Sequence, residues 1–228
     1  MKSIFRPLSL ILNIVLIGYI FLKESSFAND GDEKIKEMAV IKKNGVTDEK
    51  GLFVNPVNIV MLGNSITYQG NWQEVLKRKD VFNGGKPGWT TQQLSWVIKD
   101  FIVPHKPELC FFKGGINDYT LGISTQRIYQ NMTMVLDSIN ALGTKPVYTS
   151  TLYQRTNFFR NRQIDSLNQM MQQFCQDKGY DFMDLRPYLC QEGDILEAYV
   201  LPDHTHLIPE AYPQWARAME LIFQKYGL

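Results

Sequence analysis

Three cysteines in 228 residues are too few for a disulfide framework. Histidine is equally scarce, at three, and no cysteine adjoins any of them, so a structural zinc site lacks ligands. Charge of one sign is missing too. Lys and Arg number 24 against 23 Asp and Glu, and a net +1 offers phosphates no basic field, which excludes a general nucleic-acid partner. Beyond residue 22 no apolar run approaches the ~20 residues that span a bilayer, and there is no repeat or low-complexity tract. What remains, 44% hydrophobic and 21% charged, is the make-up of one globular domain with a full-sized core.

The first 28 residues read differently from the rest. Lys2 and Arg6 precede an uncharged stretch from Pro7 to Leu22, and Ser26-Phe27-Ala28 supplies small residues at −3 and −1 of a cleavage before Asn29. That is the layout of a secretory signal peptide, so the protein is expected to be exported to the periplasm or beyond, without stable membrane insertion after cleavage. The rival is a retained signal anchor, since Lys23 and Glu24 are unusual between an apolar core and a cleavage site. Removing 1–28 would leave 21 basic and 22 acidic side chains. Residues 29–55 are dense in charge, contain the turn signal Asn44-Gly45, and read as a solvated spacer.

From 56 to 228 short apolar runs alternate with longer amphipathic stretches. Strands are predicted at Val57–Leu62, Val81–Asn83, Glu108–Lys113, Pro146–Thr151 and Tyr180–Leu185, and helices at about 71–79, 90–102, 124–142, 158–178 and 208–226. The alternation predicts an α/β fold, a parallel sheet of about five strands with helices on both faces. Ligands in such folds sit beyond the carboxyl ends of the strands. There the sequence places Gly63-Asn64-Ser65, Asn83 to Thr91, and Gly114 to Asp118, with Asp203-His204-Thr205-His206 far downstream.

Acyl transfer needs a nucleophile, a base, an orienting carboxylate and donors for a developing oxyanion. Ser65 follows a buried strand and a turn-permitting glycine. Asp203 and His206 lie three residues apart between Pro202 and Pro209, so one loop can bring carboxylate to imidazole. Gly88 can present its N–H at close approach, and the Asn117 amide can donate to the same oxygen. Each has a plainer explanation by itself: a helix cap for Ser65, a surface histidine, turn glycines, a turn asparagine. The weight lies in their joint occurrence at successive strand ends.

Position 67 is Thr, so Gly63–Thr67 is not the Gly-x-Ser-x-Gly elbow of α/β-hydrolases. The blocks instead resemble the SGNH (GDSL-type) hydrolases: Gly63-Asn64-Ser65-Ile66 for Gly-Asp-Ser-Leu, Asn83 to Thr91 for Asn-x-Gly-x-x-Gly-x-Thr, Gly115 to Asp118 for Gly-x-Asn-Asp, and Asp203 to His206 for Asp-x-x-His. The resemblance runs from about Asn58 through the last helix. It implies a flavodoxin-like three-layer sandwich, with Ser65 as nucleophile, His206 as base and Asp203 as orienting acid. The oxyanion hole would be the N–H groups of Ser65 and Gly88 with the Asn117 amide, and the resemblance implies no metal or organic cofactor. Asn64 departs from the name-giving Asp, at a position outside the triad.

Block spacing and Trp72 look similar to the small acetylhydrolase-like branch of that family, which implies a short-chain serine esterase acting on O-acetyl groups of carbohydrates. Trp72 and Trp89 are candidates to stack on a sugar, and Tyr68, Tyr119, Tyr153 and Arg155 to hydrogen-bond one; the alternative is that both tryptophans pack in the core. Rival readings are a lysophospholipase or thioesterase on the same scaffold and a catalytically idle carbohydrate-binding module. His204 could be imagined as a metal partner of His206, but two further ligands are missing.

Overall fold

The computed structural model describes the backbone of Val46–Thr47 and Phe53–Val54 and all residues from Val57 to Leu228. The signal peptide expected over 1–28 and the turn expected at Asn44-Gly45 lie outside the described residues. In the leading unit, Val46–Thr47 (β1) pairs antiparallel with Phe53–Val54 (β2). The second unit, Val57–Leu228, carries the rest.

Five apolar runs form one parallel sheet: β3 (Ile59–Gly63), β4 (Val81–Gly85), β5 (Leu109–Lys113), β6 (Lys145–Thr149) and β7 (Asp181–Met183), in the order β4-β3-β5-β6-β7. β3 and β5 are buried along their whole length, because the crossovers place helices over both faces. The order reverses at β3, which opens a crevice at the carboxyl ends of β3 and β5.

Short helices follow the strand ends: α1 (Ser65–Tyr68) and α2 (Trp72–Val75) after β3, α3 (Thr91–Leu94) and α4 (Ile98–His105) after β4, and α5 (Ile116–Thr120) after β5. The long ones are α6 (Thr125–Ala141), capped by Ser124, and α7 (Phe158–Lys178), which stops at left-handed Gly179. α8 (Arg186–Leu189) precedes a hairpin of β8 (Cys190–Gln191) and β9 (Asp194–Ile195), and α9 (Tyr212–Tyr226) ends the fold. α9 packs on one face, where Phe223 meets Phe111 edge-on at 5.9 Å, and α7 on the other, where Asn168 bonds the Tyr148 hydroxyl.

The helix expected over 90–102 is split by a 3-10 turn at Ser95–Val97, and that expected over 71–79 is a single turn. The three cysteines are free thiols, and Cys175 and Cys190 do not pair. No helix among the described residues is long and apolar enough to cross a membrane.

Candidate active site

β3 ends in Gly63, where no side chain fits: a Cβ would lie 2.1 Å from Thr67 Oγ1 and 2.8 Å from the Lys113 carbonyl. The chain therefore turns at once into α1, and Asn64 caps that helix by accepting the Ile66 N–H at 3.1 Å. Asn at the position of the family's Asp supplies the same cap acceptor. Ser65 becomes the first helical residue, with a backbone N–H that has no intrahelical acceptor and a half-buried side chain at the crevice.

His206 arrives from the loop before α9. Its Nε2 lies 2.8 Å from Ser65 Oγ, 141 residues away, and its Nδ1 lies 2.6 Å from Asp203 Oδ2. The other Asp203 oxygen accepts the N–H groups of Thr205 (3.0 Å) and His206 (2.9 Å), so one carboxylate folds its own loop and aims the ring. Partial burial pushes the Asp203 carboxyl up, but these two N–H donors and the imidazole outweigh it and hold the group below the ordinary carboxylate range. The structure thus brings Ser65, His206 and Asp203 into one hydrogen-bonded line. His204 turns away. Its φ is +63°, and its Nδ1 lies 3.3 Å from the Arg155 carbonyl.

Gly88 has φ +78° and open space where a Cβ would be, so the glycine serves the left-handed turn rather than a close contact. Asn117 Nδ2 donates to the Trp89 carbonyl at 2.8 Å, which spends one amide hydrogen and leaves the second for a ligand. The two loops are joined deeper down as well. Buried Asp118 accepts the Thr91 N–H at 2.9 Å and the Thr91 hydroxyl at 2.5 Å, and Asn131 donates to that hydroxyl at 3.0 Å. In the sequence Asp118 stands only as part of a motif. That its carboxylate spans to Thr91, 27 residues away, leaves no trace in local spacing.

The candidate sugar contacts need correction. Trp72 is only 2% exposed, packs edge-on against Trp215 at 4.8 Å and Tyr212 at 5.6 Å, and donates its indole N–H to the Thr67 carbonyl. It is a core residue and no sugar platform. Tyr119, 1% exposed, bonds Thr125 and the Gln163 carbonyl, so it faces the interior too. Tyr153 is buried with its hydroxyl on Asp165, and Arg155 is taken up by Asp194 and Glu197 at 3.3 and 3.0 Å. Trp89 is half-buried beside Gly88. Tyr68, one helical turn from Ser65, is the exposed one of the candidate tyrosines, and the exposed aromatics that the sequence did not single out are Trp96 and the pair Phe158 and Phe159 at the start of α7. Among the described residues no three His, Cys, Asp or Glu side chains gather as metal ligands.

Set beside known proteins, residues 61–213 match the sequence model of the GDSL-like lipase/acylhydrolase family. The fold is similar to a GDSL-like lipase of Bacteroides thetaiotaomicron at TM-score 0.66 and 19% identity, covering 84% of this chain and 97% of that one. A lipase/acylhydrolase of Enterococcus faecalis superposes at TM-score 0.62 and 19% identity over 75% and 96% of the two chains. Among curated proteins, the N-acylneuraminate cytidylyltransferase of Streptococcus agalactiae is 24% identical over 201 residues. That match takes in 87% of this chain and 44% of the relative's length.

Proposed function

Because the chain belongs to the GDSL-like lipase/acylhydrolase family, whose members hydrolyse esters, we propose that it is an exported serine esterase acting on short acyl groups, O-acetyl above all, carried by carbohydrates. The observation that carries this reading is the line from Asp203 Oδ2 to His206 Nδ1 at 2.6 Å and from His206 Nε2 to Ser65 Oγ at 2.8 Å. In the first half-reaction, Ser65 Oγ attacks the acyl carbon and His206 Nε2 takes its proton. The carbonyl oxygen becomes an oxyanion facing the N–H groups of Ser65 and Gly88 and the free amide hydrogen of Asn117. Collapse returns that proton from His206 to the leaving alcohol and leaves Ser65 acylated. Water, deprotonated by the same imidazole, then releases the acid and regenerates the serine.

Two observations support a small acyl group on a sugar. The curated relatives are named for an N-acylated sugar acid, although this chain spans less than half of their length. Tyr68, 58% exposed and three residues from the nucleophile, offers a ring beside the leaving group. A second reading, a longer-chain ester, is favoured by Phe158 and Phe159, 63% and 68% exposed, on the segment whose Thr156 meets His204. Measured kcat/KM for aryl esters of two to twelve carbons, with acetate release from acetylated sugars, separates the two. The acetyl reading expects efficiency to fall beyond about four carbons. Rising efficiency to eight or more carbons, with no acetate freed from any sugar, would promote the second. A fluorophosphonate that fails to label Ser65 would dismiss both in favour of an idle binding module.

A further inference from the structure

Lys113 ends an otherwise apolar strand, and its side chain is buried, with only 1% of the residue exposed. Among the described residues its Nζ has no hydrogen-bond partner, and no carboxylate lies within ion-pair distance. An ammonium removed from water costs several kcal/mol unless something answers its charge. The Trp215 ring gives only a distant cation–π contact, at 5.9 Å.

Its neighbours deepen the deficit. In the sheet Lys113 pairs with Gly63, whose vacant side-chain position is filled by the Thr67 hydroxyl, so Thr67 sits beside Lys113 on the same face. On the other side Phe112 pairs with Tyr148, and Thr149 continues that row next to Lys113. Trp215 of α9 covers the row. Thr67 Oγ1, Thr149 Oγ1 and Trp215 Nε1 are each buried and without a partner among the described residues, so no two of the four groups are within hydrogen-bond reach of one another. Every one can donate, and the ammonium and the indole can do nothing else. The titratable group facing Lys113 is Cys190, whose thiol burial pushes up to about 12, so it brings no charge.

We propose that Lys113, Thr67, Thr149 and Trp215 form a buried site for one small anion of halide size, behind the loops that carry Ser65 and Asn117. An anion beside Lys113 would neutralise the ammonium in place and give the donors around it an acceptor that they do not find in one another. A bound anion would also tie β3, β5 and β6 to α9 immediately beneath the crevice.

Crystals of the protein soaked in bromide should give an anomalous peak within hydrogen-bond distance of Lys113 Nζ. In solution the unfolding midpoint should rise with the logarithm of chloride or bromide concentration above the dissociation constant, at constant ionic strength set with gluconate, by roughly 3–6 °C at ten times that constant. Lys113→Met should abolish that rise, and Thr67→Val should weaken halide affinity several-fold. A non-anomalous water at the position, a rise that persists in Lys113→Met, or unchanged halide affinity in Thr67→Val would each overturn the site.

Discussion

A serine at the first position of a helix, half-buried at a sheet edge, contributes little to the core, so Ser65→Ala should leave the fold intact while turnover falls by ~10⁴–10⁶. Circular dichroism and aryl-acetate hydrolysis on one preparation check both halves. The two histidines should separate by role. His206→Ala should match the serine variant, because its ring bridges Ser65 and Asp203. His204→Ala should cost only a modest factor, and His204→Gly less, since that residue holds a left-handed turn. Equal losses at both positions would be incompatible with the proposed base. Lys113 gives the residue scale its pH signature. Burial pushes its ammonium from the ordinary 10.5 down to about 8, so the folded state binds fewer protons than the unfolded chain between those values. The penalty of the buried charge is present below about pH 8 and is relieved as pH climbs toward 10.5, so stability should rise across that window in halide-free buffer. Denaturant titrations at pH 7 and 10 should show the gain relative to Lys113→Met.

Between elements, two couplings keep the site in register. Gly85 at the end of β4 lies under α1: a Cβ there would come within 2.3 Å of the Tyr68 backbone nitrogen and 2.4 Å of its Cα. Backbone cannot yield as a side-chain tip can, so Gly85→Ala should displace the helix that starts at Ser65. A loss of about 1–3 kcal/mol in stability, together with a lower kcat, is expected from chemical denaturation and steady-state kinetics. Asp118 is the second coupling, binding the start of α3 to α5 across buried space. Asp118→Ala strands the Thr91 N–H and hydroxyl, at about 1–3 kcal/mol for each buried unsatisfied group. If the loop carrying Gly88 depends on this bond, kcat should drop more than KM changes, and Asp118→Asn, which can still accept, should recover part of both. Stability and kcat equal to the parent in Asp118→Ala would show that the loops hold themselves.

For the whole molecule, the reversal of strand order at β3 gathers loops from both halves of the sheet into one crevice, and Ser65, His206 and Asp203 meet there. Ser65 comes from the start of α1, just after β3, and His206 from the loop before the last helix. Export is the prediction that belongs here: mass spectrometry of protein recovered from expressing cells should find a chain starting at Asn29. A full-length species that needs detergent would favour the signal anchor.

The sequence by itself determined the architecture and named the candidates that meet at Ser65. Apolar runs of strand length alternating with amphipathic stretches leave a parallel sheet as the way to bury both, and the residues just past each run are then at one edge. Ser65, Gly88 and Asn117 were legible as candidates for that reason, and Asp203 with His206 through their three-residue spacing between Pro202 and Pro209. What faces solvent was not. Trp72 and Trp89 look alike in sequence, yet Trp72 is enclosed by Tyr212 and Trp215 of a helix some 140 residues on, and only packing across the sheet decides that. The same holds for Arg155, claimed by Asp194 and Glu197, and for Lys113, a charge whose burial depends on α9 closing over β5. Burial and side-chain partnership are long-range properties, set by which helix covers which face.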